Sequence, residues 1–176
     1  MGGSHPTSWG QFRAWGPTEA RFDHQRPPAS IQTREILYGA IGSKGALTAL
    51  AEVFQGTRTV DRTFNNPFLA SFDTTTDLRL LDLTGVWPTK AGASTEISSG
   101  QKARARRWSQ AFYTAFLDVD GLLYGSSMHA NEPCVALYER AAKAMPASPS
   151  TNRMLVDPNL LTTLKNGCAD LNYLLV

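Results

Sequence analysis

The chain has little to offer the common functional signatures. It holds only two cysteines in 176 residues, Cys134 and Cys168, and they form no CxxC pair. That excludes a disulfide scaffold and a cysteine-based zinc site, and it suits two free, buried thiols in a cytoplasmic protein. Charge is scarce: Asp, Glu, Lys and Arg make up 18% and the net charge is +2. So low a charged fraction is not a disordered or coiled-coil composition, and so mild a balance gives no basic stripe of the kind that binds nucleic acid. No apolar run is long enough to cross a bilayer, and no secretory signal is expected at the start. Internal repeats are absent too. What is present is 42% apolar residues, enough to bury one core. We expect a loose start over residues 1–8 and one domain over 9–176.

Partial motifs all stop short. Gly42-Ser43-Lys44-Gly45 lacks the spacing of a phosphate loop, and no GxGxxG is present. Gly125-Ser126-Ser127 lacks the flanks of a nucleophile elbow. Asp118 and Asp120 before Gly121 resemble part of a calcium loop without its other ligands. His24, His129 and Cys134 make no recognisable zinc set, and each histidine reads as a surface or polar-network residue.

Local patterning predicts short strands and two good helices. The aromatic stretch Trp9–Trp15 starts the sheet, with breaks at Gly16-Pro17 and Arg26–Ser30. Ile36–Tyr38 reads as a strand. Ser43 is the expected cap of a helix whose buried stripe is Leu47, Leu50, Ala51 and Phe54. Leu78–Leu83 is the next strand. Residues 85–100, rich in Gly, Ser, Thr and Pro, read as a long loop. A helix over 101–116 presents Trp108, Phe112, Ala115 and Phe116 inward, and its basic half, Lys102 to Arg107, reads as a solvated face. Asp120-Gly121 is a turn before strand 122–124, and 134–138 is another strand. A Pro/Ser-rich connector, 145–152, and a final strand over 171–176 complete an α+β pattern.

Four pieces, in order, carry more. They are Phe12-Arg13-Ala14-Trp15 with Arg21-Phe22; Leu37-Tyr38-Gly39-Ala40 with Ala46 to Val53; Leu81-Asp82-Leu83-Thr84; and Asp120 to Ser127 with Cys134 to Tyr138. The set resembles the RES family, named for an arginine, a glutamate and a serine in that order. The resemblance runs from about Phe12 to Tyr138. It implies a compact ADP-ribosyltransferase-like fold and a toxin that consumes NAD⁺, held in check by an Xre-type antitoxin. By motif position the three name-giving residues are Arg13, Glu52 and Ser126, with Arg21 and Tyr38 at two further NAD⁺ positions. Arg21 departs from the pattern: it follows Ala20 where the family has glycine, and the stretch to Tyr38 is longer.

The implied chemistry suits these side chains. Guanidinium forks match phosphate oxygens, so Arg13 and Arg21 would anchor the pyrophosphate. Breaking the nicotinamide–ribose bond builds positive charge on the ribose, which the Glu52 carboxylate would stabilise. Tyr38 would pack on nicotinamide, and the Ser126 hydroxyl would hold a carboxamide or ribose oxygen. With no base evident beside it, Ser126 is not expected to form a covalent intermediate. Water or phosphate would be the acceptor, and no metal is implied. Two other readings are a transferase that modifies a protein, and a non-catalytic module. Taken singly, each residue reads more plainly: Arg13 as a surface charge, Glu52 as an exposed helix residue, Tyr38 as core and Ser126 as a turn residue.

Overall fold

The structure is a computed structural model that describes residues 8–94 and 96–176. The expected loose start, 1–8, therefore lies outside the described residues except for Ser8. Strand β1 (Arg13–Gly16) ends at Pro17, and β2 (Ser30–Ala40) begins just after the Pro27-Pro28 break. Helix α1 spans Gly45–Val53. Short strands β3 (Thr59–Val60), β4 (Phe68–Ser71) and β5 (Leu80–Asp82) follow. Then come helices α2 (Trp87–Lys90), α3 (Glu96–Ser99) and α4 (Lys102–Ala115). Strands β6 (Gly121–Gly125) and β7 (Pro133–Tyr138) form the sheet centre, and a 3₁₀ turn over Glu139–Ala144 follows β7. Strand β8 (Thr151–Met154), helix α5 (Leu161–Leu171) and strand β9 (Leu174–Leu175) close the chain. The mixture is α+β.

The main sheet has the order β1-β2-β7-β6-β5, antiparallel except for the β5–β6 pair. Side chains alternate across a strand, so register decides which residues share a face. Ile36 pairs with Tyr138, Tyr38 with Ala136, and Tyr124 with Cys134. These residues share one face, which α4 covers through Ala105 and Phe112. Leu37, Leu123, Val135 and Leu137 fill the other face with Phe12 and Ala141. Both faces are covered, so β6 and β7 are buried almost throughout. A third cluster joins α1 and α5 through Leu50, Leu164 and Cys168.

Four local expectations need correction. Ser43 is exposed and does not cap α1; Lys44 holds the cap position without a side-chain hydrogen bond. Gly42, at φ +85°, makes the turn into the helix instead. Residues 85–100 are not one loop, because Trp87 packs edge-on against Phe112 (5.3 Å) and Ile97 is buried, folding α2 and α3 onto α4. On α4, Ala105 and Ser109 are buried with Phe112, Trp108 and Phe116 pack against the core as expected, and Ala115 is exposed. The terminal run is not one strand: Leu171 ends α5, Asn172 turns left-handed at φ 54°, and only Leu174–Leu175 pairs with β3. Helix α5 escaped the sequence reading because its buried side is small, with Gly167 seated against Leu47 and Leu50. On α4, Lys102, Arg104 and Arg107 are exposed as expected, and Arg106 stands 3.6 Å from Glu19. Among the described residues no helix is long and apolar enough to cross a membrane.

Candidate functional site

Register alone brings three site residues to one face. Arg13 lies opposite Ile36, so it shares the face of Tyr38 and Tyr124. Ser126 follows β6 with the parity of Tyr124, where the strand gives way to the turn 126–132. Helix α1 leaves β2 and lays a polar stripe, Lys44, Thr48 and Glu52, along that turn. The three are four residues apart and so share one helix face. Each finds one partner. Lys44 Nζ meets Glu132 Oε1 at 2.5 Å, Thr48 Oγ1 meets His129 Nδ1 at 2.8 Å, and Ser126 Oγ donates to Glu52 Oε1 at 2.6 Å.

Ser126 is 1% exposed, and its hydroxyl is fully used. It accepts from the amides of Met128 (3.1 Å) and His129 (3.0 Å) while donating to Glu52. A hydroxyl offers one proton and two lone pairs, so nothing remains for a ligand. A carboxylate stands beside Ser126, which the sequence reading did not foresee, and the buried, fully hydrogen-bonded hydroxyl holds one oxygen of Glu52 in place. Glu52 is half-buried, and among the described residues its Oε2 has only a long contact of 3.5 Å from Gln55 Nε2, which leaves that oxygen open.

Arg21 and Tyr124 complete this half of the site. Burial lowers the Arg21 pKa from its ordinary value, while the negative charge of Glu52 opposes that shift. One Arg21 nitrogen donates to the Gly100 carbonyl at 2.5 Å, tying the site to the α3–α4 junction. Burial raises the Tyr124 phenol well above 10, with Cys134 and Glu52 adding to the rise. Cys134, beneath, is pushed up to about 12 by burial and by Glu52. Neither group ionises near neutrality.

The other half centres on Asp23, which is fully buried and which the sequence reading missed. Asp23 Oδ1 receives Arg13 Nη2 at 2.6 Å and the Tyr38 hydroxyl at 2.9 Å. Oδ2 receives the Thr18 amide at 2.5 Å and its hydroxyl at 2.8 Å. Arg13 also donates to the Trp15 carbonyl. Arg13 is thus no free surface charge but half of a largely buried ion pair. Tyr38 packs against the core as the plain reading had it, and its phenol is raised well above 10 by burial and then by Asp23. The structure therefore brings Glu52 and Ser126 into contact, sets Arg21 within electrostatic range of Glu52, and joins Arg13 to Tyr38 through Asp23. The only cue to Asp23 in the sequence was its place two residues after Arg21.

His24 is buried and stacks on Tyr113 at 4.4 Å, with Nε2 3.6 Å from Glu139. Burial lowers its pKa, so it is a neutral core histidine. Among the described residues no three His, Cys, Asp or Glu side chains gather as a metal site would require. A groove of about 620 Å³ runs along β8, lined by Phe68, Arg153, Val156 and Asp157 among others, and holds none of the residues above.

The arrangement defines an α+β protein whose open carboxylate is oriented by a buried hydroxyl, beside an arginine and two neutral phenols. The family model of the RES domain matches residues 3–157, and the chain belongs to that family. Comparison with curated proteins and with solved structures gave no match.

Proposed function

We propose that this RES domain consumes NAD⁺ by breaking its nicotinamide–ribose bond. The observation that supports the reading best is the oriented Glu52 carboxylate. One oxygen is fixed by Ser126 and the other is open, so negative charge is held ready where an oxocarbenium-like ribose would form. A preset carboxylate stabilises the transition state more than the ground state, which is what accelerates the step. Arg21 beside it suits a phosphate or ribose oxygen, and the Arg13–Asp23–Tyr38 unit would wall the nicotinamide side. The fold is then a compact relative of the ADP-ribosyltransferases. Its physiological setting would be a cytoplasmic toxin that arrests growth and is neutralised by an Xre-type antitoxin.

The test is nicotinamide release from NAD⁺ by the purified chain, with and without phosphate. Glu52→Gln keeps size and the Ser126 contact but removes the charge. It should lower turnover by about 10²-fold or more while NAD⁺ still binds. A folded parent that releases no nicotinamide would falsify the enzyme reading. An active Glu52→Gln chain would show that the site is elsewhere.

A further inference from the structure

His129 lies outside the four family pieces, and with Thr48, which lies inside the second, it forms the middle rung between α1 and the turn that carries Ser126. Thr48 is fully buried, and its Oγ1 contacts both the Lys44 carbonyl (3.0 Å) and His129 Nδ1 (2.8 Å). Thr48 has one hydroxyl proton. Both contacts are made only if Thr48 donates to Lys44 and accepts Nδ1–H from His129. That fixes the tautomer: the neutral imidazole keeps its lone pair on Nε2. Nε2 has no partner among the described residues and is not one of the buried unpartnered atoms, so it meets solvent.

Its place matters. Thr48 and Glu52 are one helical turn apart, about 5–6 Å between their Cβ atoms. The His129 amide bonds Ser126, whose proton lies on Glu52. The His129 ring thus borders both the turn and the helix that hold the Glu52 carboxylate, with its accepting nitrogen unpartnered among the described residues. Glu52 serves first as a fixed negative charge while positive charge grows on the sugar. Ser126 is saturated, Asp23 already receives four donors, and the two phenols are held protonated by burial. Lys44 is paired with Glu132. Besides the open oxygen of Glu52, His129 Nε2 is an acceptor beside this turn with no partner among the described residues.

We infer that His129 is the acceptor-side base of this site, and that the acceptor is a hydroxyl, water in the simplest case. The inference rests on the NAD⁺ reading above. The water oxygen bonds to the ribose carbon that carried nicotinamide, and one water proton passes to Nε2. The carbon–nitrogen bond breaks, and its electron pair returns to the pyridinium ring, releasing neutral nicotinamide. The imidazolium then yields its proton to solvent. Phosphate brings its own negative charge and needs no such base, whereas a base placed here serves a neutral hydroxyl, and with water the product is ADP-ribose.

The experiment uses the full chain, NAD⁺, and buffers with and without inorganic phosphate. The parent should form ADP-ribose in both. His129→Ala should lose about 10²-fold or more in kcat with KM for NAD⁺ little changed, and free imidazole should restore turnover. His129→Asn can place an amide donor where Nδ1 meets Thr48 but has no basic nitrogen; it should be equally slow while unfolding like the parent, and it decides the matter if the alanine variant does not fold. Thr48→Val should slow turnover, and Thr48→Ser should recover it. Parental kcat in His129→Asn, a folded His129→Ala that imidazole does not rescue, or ADP-ribose-1″-phosphate as the main product in phosphate overturns the inference. A folded parent that releases no nicotinamide overturns the NAD⁺ reading and this inference with it.

Discussion

Asp23→Asn is the sharpest test of how the site is held. The substitution keeps volume but replaces one carboxylate oxygen with an NH₂ group. Asp23 receives two donors on each oxygen: Arg13 and Tyr38 on one, and the amide and hydroxyl of Thr18 on the other. An asparagine can satisfy only one side, so two donors then face a third. The charge-assisted bond to Arg13 is also lost. A hydrogen bond to a charged group contributes roughly 1.5–3 kcal/mol, and each orphaned buried donor costs about 1 kcal/mol or more. Arg13 is 25% exposed, so water recovers part of this, and the Tyr38 and Thr18 hydroxyls can rotate. The expected cost is about 3 kcal/mol, which lowers Tm by roughly 6–12 °C for a chain of this size. Urea unfolding measures it, with an unchanged slope showing that the fold is kept. The comparator is Asp61→Asn: Asp61 accepts three local hydrogen bonds in a solvent-facing turn and has no ion pair among the described residues. If Asp23→Asn unfolds no earlier than Asp61→Asn, burial and pairing at Asp23 are not what hold Arg13 and Tyr38.

Three further outcomes follow from the same packing. Cys134, raised to about 12 by burial and Glu52, should resist thiol reagents near pH ~8 until denaturant is added; modification at the rate of a free thiol would contradict its placement. Burial holds the phenols of Tyr38, Tyr124 and Tyr138 above 10 in the folded state, whereas unfolded they lose protons from about pH 10. Above pH ~10 the unfolded state therefore binds fewer protons, so the contribution to stability is complete below that pH and lost above it. A Tm that stays flat from pH ~9 to ~11 would refute this. Finally, a Cβ on Gly121 would lie 2.6 Å from the Ala136 carbonyl oxygen and 2.9 Å from the Leu137 Cα, which are backbone atoms of β7 that cannot turn aside. Gly121→Ala should cost about 2 kcal/mol or more by chemical denaturation, and a neutral result would mean that the β6–β7 spacing is looser than drawn.

Much of the chain was legible because local signals and tertiary structure agreed. The break at Pro17, the centres of β6 and β7, the body of α4 and the α+β class came from periodicity and turn residues. The ordered pieces around Arg13, Glu52 and Ser126 identified the family before any fold was in hand. Sequence could not show what each of those residues touches. Ser126 is a strand-end serine in any local reading, and only the docking of α1 on the 126–132 turn makes it the orienting partner of Glu52. Asp23 has no local mark, since its four donors come from β1, β2 and the Thr18 turn. Register decides that Arg13, Tyr38 and Tyr124 share a face, and register is set by pairing between distant segments. Segment 85–100 fails in the same way: its composition favours a loop, but Trp87 and Ile97 gain burial against α4 that composition does not record. Sequence carried the residue types and their order, because those follow from local chemistry and family pattern. Tertiary structure decided which oxygens are open and which are used, because hydrogen-bond saturation depends on contacts made across the whole chain.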